Sequence, residues 1–151
     1  MAYWRLFYHL VWSTSERRQL LHGEVKGLVE GSVRTICREQ KVLIHGLGIQ
    51  PEHVHLVASI PPSVAISAFV GRAKGSTSHL VNQVAPLKDD RFAWQDEYGV
   101  FSFGEKFLPD VVAYVENQEE RHRTQRLWEA LERTSEDISR LQPGSFGQRG
   151  V

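Results

Sequence analysis

The chain has 151 residues, enough for one domain with a sizeable apolar core, and its 41% hydrophobic and 24% charged residues exclude a disordered or fibrous protein. Eighteen basic and 18 acidic residues give zero formal net charge, so a polyanionic partner would be held by a local patch and not by a global field. A single cysteine, Cys37, excludes an internal disulfide and a cysteine-built zinc site.

No apolar run approaches a membrane span and no secretory signal opens the chain, so a cytoplasmic protein without a membrane partner is expected. Residues 3–12, Tyr-Trp-Arg-Leu-Phe-Tyr-His-Leu-Val-Trp, are aromatic, branched or apolar almost throughout and predict a central strand. Polar residues 13–18 end it. A helix is expected over about 20–40, where Leu21, Val25, Leu28, Val29, Val33 and Ile36 recur at three- and four-residue spacing. Gly23, Gly27 and Gly31 lie on one side of that helix and predict close packing there. Cys37 reads as an apolar filler of the same helix.

A second strand over 42–50 carries Gly46 and Gly48, marks of a bulge or bend. The short link Pro51-Glu52 then predicts an antiparallel hairpin into a third strand over 53–60. Ser63 is a candidate N-cap for a helix over 64–83, with Ile66, Phe69, Val70, Ala73, Thr77, Leu80 and Val81 on its apolar side. A loop pinned by Trp94 leads to a fourth strand over 98–103. A helix follows from Leu108, with Pro109 in its first turn, to about residue 122. The order β-α-β-β-α-β plus helix is the split βαβ, ferredoxin-like order. It predicts an α+β fold: a four-stranded antiparallel sheet with helices on one face and strands one and three central. Residues 1–123 are expected to form the main domain, and 124–151 a C-terminal helical extension and tail.

Two short motifs carry possible chemistry. In His53-Val54-His55 the histidines are two residues apart in a strand, so both imidazoles share a face, with Cα atoms roughly 6.6 Å apart. They can converge on one metal ion, or stand as hydrogen-bonded, half-buried strand residues; spacing alone leaves both readings open. In the helix after Leu108, Tyr114 and Gln118 stack at i and i+4. They fall on the border of the Val111, Val112, Val115 stripe, a position open to a cleft-facing group and to a boundary tyrosine with a wet hydroxyl.

Taken together, the pieces resemble a known family. They are Tyr8-His9-Leu10-Val11-Trp12, Pro51-Glu52-His53-Val54-His55-Leu56-Val57, Lys74-Gly75-Ser76-Thr77-Ser78, Trp94-Gln95, Tyr98-Gly99-Val100-Phe101-Ser102 and Tyr114-Val115-Glu116-Asn117-Gln118. In order over about residues 3–123, they resemble the IS200/IS605-family single-tyrosine (Y1) transposases of the HUH endonuclease superfamily. The resemblance implies a metal-binding pair at His53 and His55, a third ligand at Gln118 and a nucleophile at Tyr114. It implies an endonuclease and strand transferase acting on single-stranded DNA at element ends flanked by imperfect hairpins. The tyrosine oxygen would form a 5′-phosphotyrosine link and free a 3′-OH, and a 3′-OH would later rejoin the strand.

A phenol of pKa about 10 needs activation at neutral pH. Three neutral ligands leave a divalent ion its full charge for the scissile phosphate. The implied metal is Mg2+ or Mn2+, and imidazole ligands also suit Zn2+ as a crystal occupant. A homodimer is implied, in which Tyr114 and Gln118 of one subunit could complete the histidine site of the other. Arg17, Arg18, Lys74 and Arg121 are candidate DNA contacts, each also readable as ordinary solvated charge. Three further readings stand beside this one. The first is a REP-type domesticated relative with the same chemistry. The second is a non-catalytic ferredoxin-like single-stranded nucleic-acid-binding module, although no RNP-type aromatic motif is present. The third is a metal-dependent hydrolase, which leaves Tyr114 without a role.

Overall fold

Period-two alternation sets the architecture. In the computed structural model, which describes residues 3–117, β1 (Tyr8–Ser13) pairs antiparallel with β3 (His53–Ser59) and with β4 (Gly99–Ser102). β2 (Leu43–Ile49) pairs antiparallel with β3, and the sheet order is β2-β3-β1-β4. The expected fold class, strand count and central pair are therefore present. The chain divides into two units, Met1–Glu116 and Asn117–Val151, and the sheet belongs to the first.

Register fixes which side chains share a face. Leu10 lies opposite Leu56 and Trp12 opposite Val54, whereas Val11 lies opposite His55 and Ser13 opposite His53. On the first face Leu10, Trp12, Val54, Leu56 and Ala58 are buried against two helices, α1 (Gly23–Glu39) and α2 (Ile66–Val84). Val29, Val33 and Ile36 of α1 and Phe69, Val70 and Ala73 of α2 complete this core. Each such side chain contributes roughly 1.5–3 kcal/mol by leaving water, and this face supplies most of the apolar driving force.

α3 (Leu108–Glu116) takes the opposite face. Helices on one face thus describes α1 and α2; α3 covers the side towards which β3 turns its histidines. It can do so because β2 presents glycine there. Gly46 lies opposite Val57 and Gly48 opposite His55. A Cβ on Gly48 would overlap the Val115 carbonyl oxygen and lie 3.1 Å from Val115 Cγ1. The bulge expected near these glycines falls at the register shift between Ile44 and Gly46.

Three local expectations are corrected. α1 begins at Gly23, not near residue 20, because the preceding segment is an extended strap held by Leu21 N–H donating to Pro51 O at 2.9 Å. Gly27 and Gly31 face open space, so they are not close-packing positions. Ser63 does not cap α2: Val64 N–H closes a turn on Pro61 O at 2.9 Å, and the helix starts after Ala65 without a side-chain cap. Trp94 does pin its loop. Its ring packs edge-on to Phe92 and Trp12, and its Nε1 donates to Thr77 Oγ1 at 2.9 Å. Among the described residues no helix is long and apolar enough to cross a membrane.

Candidate active site

The site is built on the α3 face of the central strands. His53 and His55 project from β3 on one side, with ring centroids 4.5 Å apart and planes at 82°. His55 is fully buried, and His53 lies nearer solvent with 17% of its side chain exposed. Across from them α3 brings Tyr114, whose ring stands edge-on to His55 at 6.0 Å and 88°. The helix stripe put Tyr114 on a border; in the fold it is buried, because the helix beds down over Gly48 and turns that border towards the sheet. Residues about sixty positions apart are so brought into one cluster.

A third histidine joins the cluster from β1. His9, fully buried, has its Nε2 2.9 Å from His55 Nδ1. Sequence reasoning gave His9 no role. The only signal was its place two residues before Val11 and its alternation with Leu10 and Trp12, and neither shows which residue of β3 it meets.

Burial sets the electrostatics. Desolvation lowers the pKa of His9 to about 4, assisted by His53. Desolvation also lowers that of His55 well below 6.5, with His9 and His53 adding to the effect. His53 is lowered by desolvation too; the Glu52 carboxylate, 3.7 Å from His53 Nδ1, pulls the other way and Arg17 reinforces the drop. Burial wins over the exposed ion pair. All three imidazoles are therefore neutral at pH 7, the state in which imidazole ligates a metal.

The donor set fits part of a divalent cation site. Two neutral imidazoles on one strand face can hold an ion, and the His9 contact occupies His55 Nδ1, so Nε2 would be the ligating atom of that ring. Among the described residues, no group of three or more His, Cys, Asp or Glu could hold a metal. A third protein ligand would be of another type or come from elsewhere. Gln118 and Arg121 lie outside the described residues, as does the extension over 124–151.

Of the candidate DNA contacts, Arg17 sits in a 3-10 turn at Ser15–Arg17, with φ 51° beside Glu16 at φ 57°. Left-handed backbone at two non-glycine residues costs about 1–3 kcal/mol each. Thr14 helps to hold the turn, its Oγ1 donating to Arg18 O at 2.7 Å. Arg18 pairs with Asp90 at 2.6 Å. Lys74 Nζ donates to the carbonyls of Gln95 and Glu97, so it also ties α2 to the loop before β4.

The chain is similar to known proteins. The family model described as "Transposase IS200 like" matches residues 2–118. The ISDra2 transposase TnpA of Deinococcus radiodurans is 29% identical over 122 residues, covering 78% of this chain and 87% of its own. The transposase for insertion sequence element IS200 of Salmonella typhimurium is 31% identical over 119 residues, covering 76% and 78%. Among solved structures, a candidate transposase from D. radiodurans R1 superposes with a TM-score of 0.64 at 27% identity, over 78% of this chain and 95% of that one. A REP-associated tyrosine transposase bound to a REP hairpin shares the fold, with a TM-score of 0.60 at 18% identity over 81% and 74%. With the family pattern running from the first strand to the end of the tyrosine helix, the chain belongs to the IS200-like transposases, the single-tyrosine group of the IS200/IS605 family.

Proposed function

We propose that this transposase cuts and rejoins single-stranded DNA through a covalent link to Tyr114, with a divalent ion held by His53, His55 and Gln118. The carrying observation is the approach of Tyr114 to the histidine pair, its ring edge-on to His55 at 6.0 Å. Gln118 is assigned from its place one helical turn after Tyr114 in sequence and from the family pattern. Bound there, Mg2+ or Mn2+ supplies positive charge that polarises the scissile phosphate and stabilises the charge developing on it.

The chain's own residues do the rest. His53 and His55, neutral by burial, keep their lone pairs for the ion across the neutral pH range. α3 brings the Tyr114 ring edge-on to His55 from the other side. Tyr114 Oη attacks the phosphorus and forms a P–O bond as the bond to the 3′ oxygen breaks. The 3′ oxygen takes up a proton and the phenolic proton is lost. The link is a 5′-phosphotyrosine, and attack by a 3′-OH reverses the exchange, returning the phenol. One phosphodiester replaces another at each stage, so rejoining needs no ATP.

Arg17, exposed and close enough to His53 to depress its pKa, is a fitting phosphate contact. Arg18, Lys74 and Arg121 are weaker candidates. The substrate is single-stranded DNA with imperfect hairpins at element ends; a fold neighbour bound to a REP hairpin supports hairpin recognition on this scaffold. A homodimer accords with the family reading, as does action inside the cell where DNA is; the mechanism above uses Tyr114 and His55 of one chain, the arrangement in which their rings lie 6.0 Å apart.

The test incubates the protein and Mn2+ with a pool of labelled single-stranded oligonucleotides, each carrying a hairpin and varied flanks. A label resistant to denaturation marks the covalent link. Wild-type protein is expected to give it and Tyr114→Phe to give none, with hairpin binding retained. An undiminished adduct from the Phe variant would remove Tyr114 from the mechanism.

A further inference from the structure

We propose that His9 is a positioning residue for the metal site: it accepts a hydrogen bond from His55 Nδ1–H and so fixes His55 in the tautomer whose Nε2 carries the ligating lone pair. This rests on the metal reading of the site and adds to it a residue outside the His-Val-His motif.

His9 Nε2 and His55 Nδ1 are 2.9 Å apart, an ordinary hydrogen-bond length. The ring planes differ by 14° and the centroids are 5.1 Å apart. That separation is close to the 2.9 Å bond plus one ring radius on either side. The rings therefore meet edge to edge in a common plane, not face to face, and the N–H lies along the partner's lone pair. Register makes the contact possible. Val11 and His55 are directly opposed and His9 is opposite Val57, so the two rings reach diagonally across the central pair of strands.

The contact admits two tautomers. At 2.9 Å, one proton lies between these two nitrogens. If it sat on His9 Nε2, His55 would carry its own proton on Nε2 and present no lone pair there. If it sits on His55 Nδ1, Nε2 is a ligand. A ligand histidine whose second nitrogen donates to a fixed acceptor is oriented and made more basic.

His9 also meets a cost that packing alone would not impose. Its Nδ1 is buried with no hydrogen-bond partner among the described residues, and an unmet buried polar group is destabilising. Phe101 lies beside the ring at 6.0 Å, and an apolar side chain would fill the position without that penalty. The hydrogen bond to His55 is what an apolar residue cannot supply.

Two measurements test this. The first records 15N chemical shifts of histidine-labelled, metal-free protein, with the His55 signals identified by their loss in His55→Ala. His55 Nδ1 is expected to be pyrrole-type and Nε2 pyridine-type. The reverse pattern overturns the proposal. The second titrates Mn2+ into wild type, His9→Phe and His9→Gln by calorimetry, after circular dichroism has confirmed their fold. Phe keeps the ring shape without the acceptor. Gln places an oxygen the same number of bonds from the backbone as His9 Nε2. His9→Phe is expected to weaken Mn2+ binding about 10- to 100-fold and to mix the His55 tautomers, and His9→Gln to restore most of both. Equal affinity in wild type and His9→Phe sinks the role of His9 and leaves the metal reading standing. No Mn2+ uptake by wild type sinks the metal reading, and this inference with it.

Discussion

The two faces of the sheet are made by the same strands and do different work. Along β3, Val54, Leu56 and Ala58 enter a mainly apolar core under α1 and α2, whereas His53 and His55, one residue out of phase, enter a histidine cluster under α3. Both faces are buried at the middle of β3: Leu56 and His55 are each fully buried. The difference lies in what burial achieves. On the first face it stabilises the fold by removing hydrocarbon from water. On the second it holds imidazoles neutral at a cost in stability, and that neutrality is what a metal ligand needs.

Adjacent residues offer the sharpest way to break this comparison. His55→Ala is expected to reduce strand cleavage by at least about a hundredfold at any Mn2+ concentration while the protein still folds. Leu56→Ala should cost about 2–5 kcal/mol of stability, read as a urea midpoint, with cleavage per folded molecule little changed. Cleavage at the wild-type level by His55→Ala, or a catalytic collapse in folded Leu56→Ala, would erase the division between faces.

Acid should separate the faces next. His9 has its pKa lowered from 6.5 to about 4 in the folded state, so below pH 6.5 the unfolded chain binds the extra proton first. The fold carries no protonation penalty above 6.5, and the penalty grows as pH drops towards 4. For His9 alone the loss by pH 5 is about 2 kcal/mol, and His53 and His55 shift in the same direction. Urea unfolding of chelated protein at pH 7 and pH 5 measures it. A flat profile would mean that these rings are not held neutral by burial.

A smaller effect is expected at the contact beneath α3. Gly48→Ala places a methyl against the Val115 carbonyl, which must rise. A loss of about 1–3 kcal/mol is expected, together with weaker adduct formation as Tyr114 moves off the histidines. Gly27→Ala, on open helix surface, should be neutral or slightly stabilising and serves as its control. Equal behaviour of the two variants would dismiss the close approach.

What could be read from sequence followed the range of the interaction. Strand order, the central pair and the shared face of His53 and His55 depend on local period and connection length, and all three are present in the fold. The joining of Tyr114 to that face depends on which side of the sheet α3 takes, which the helix stripe could not say and the family resemblance supplied. The His9–His55 bond needs both the β1–β3 register and a diagonal reach, so no spacing in the chain points to it. Ser63 and the α1 glycines misled for the opposite reason. Their local signals are genuine, but the Pro61 turn and the open side of α1 decide what those residues do.

The central claim is that Tyr114, set against the histidine face, is the residue that joins DNA. The chain has four tyrosines, Tyr3, Tyr8, Tyr98 and Tyr114. Proteolysis and mass spectrometry of the denaturation-resistant adduct, after nuclease trimming, would place the link on one of them. We expect the nucleotide mass on the peptide containing Tyr114; a link at Tyr3, Tyr8 or Tyr98, with the Tyr114 peptide unmodified, would contradict the account.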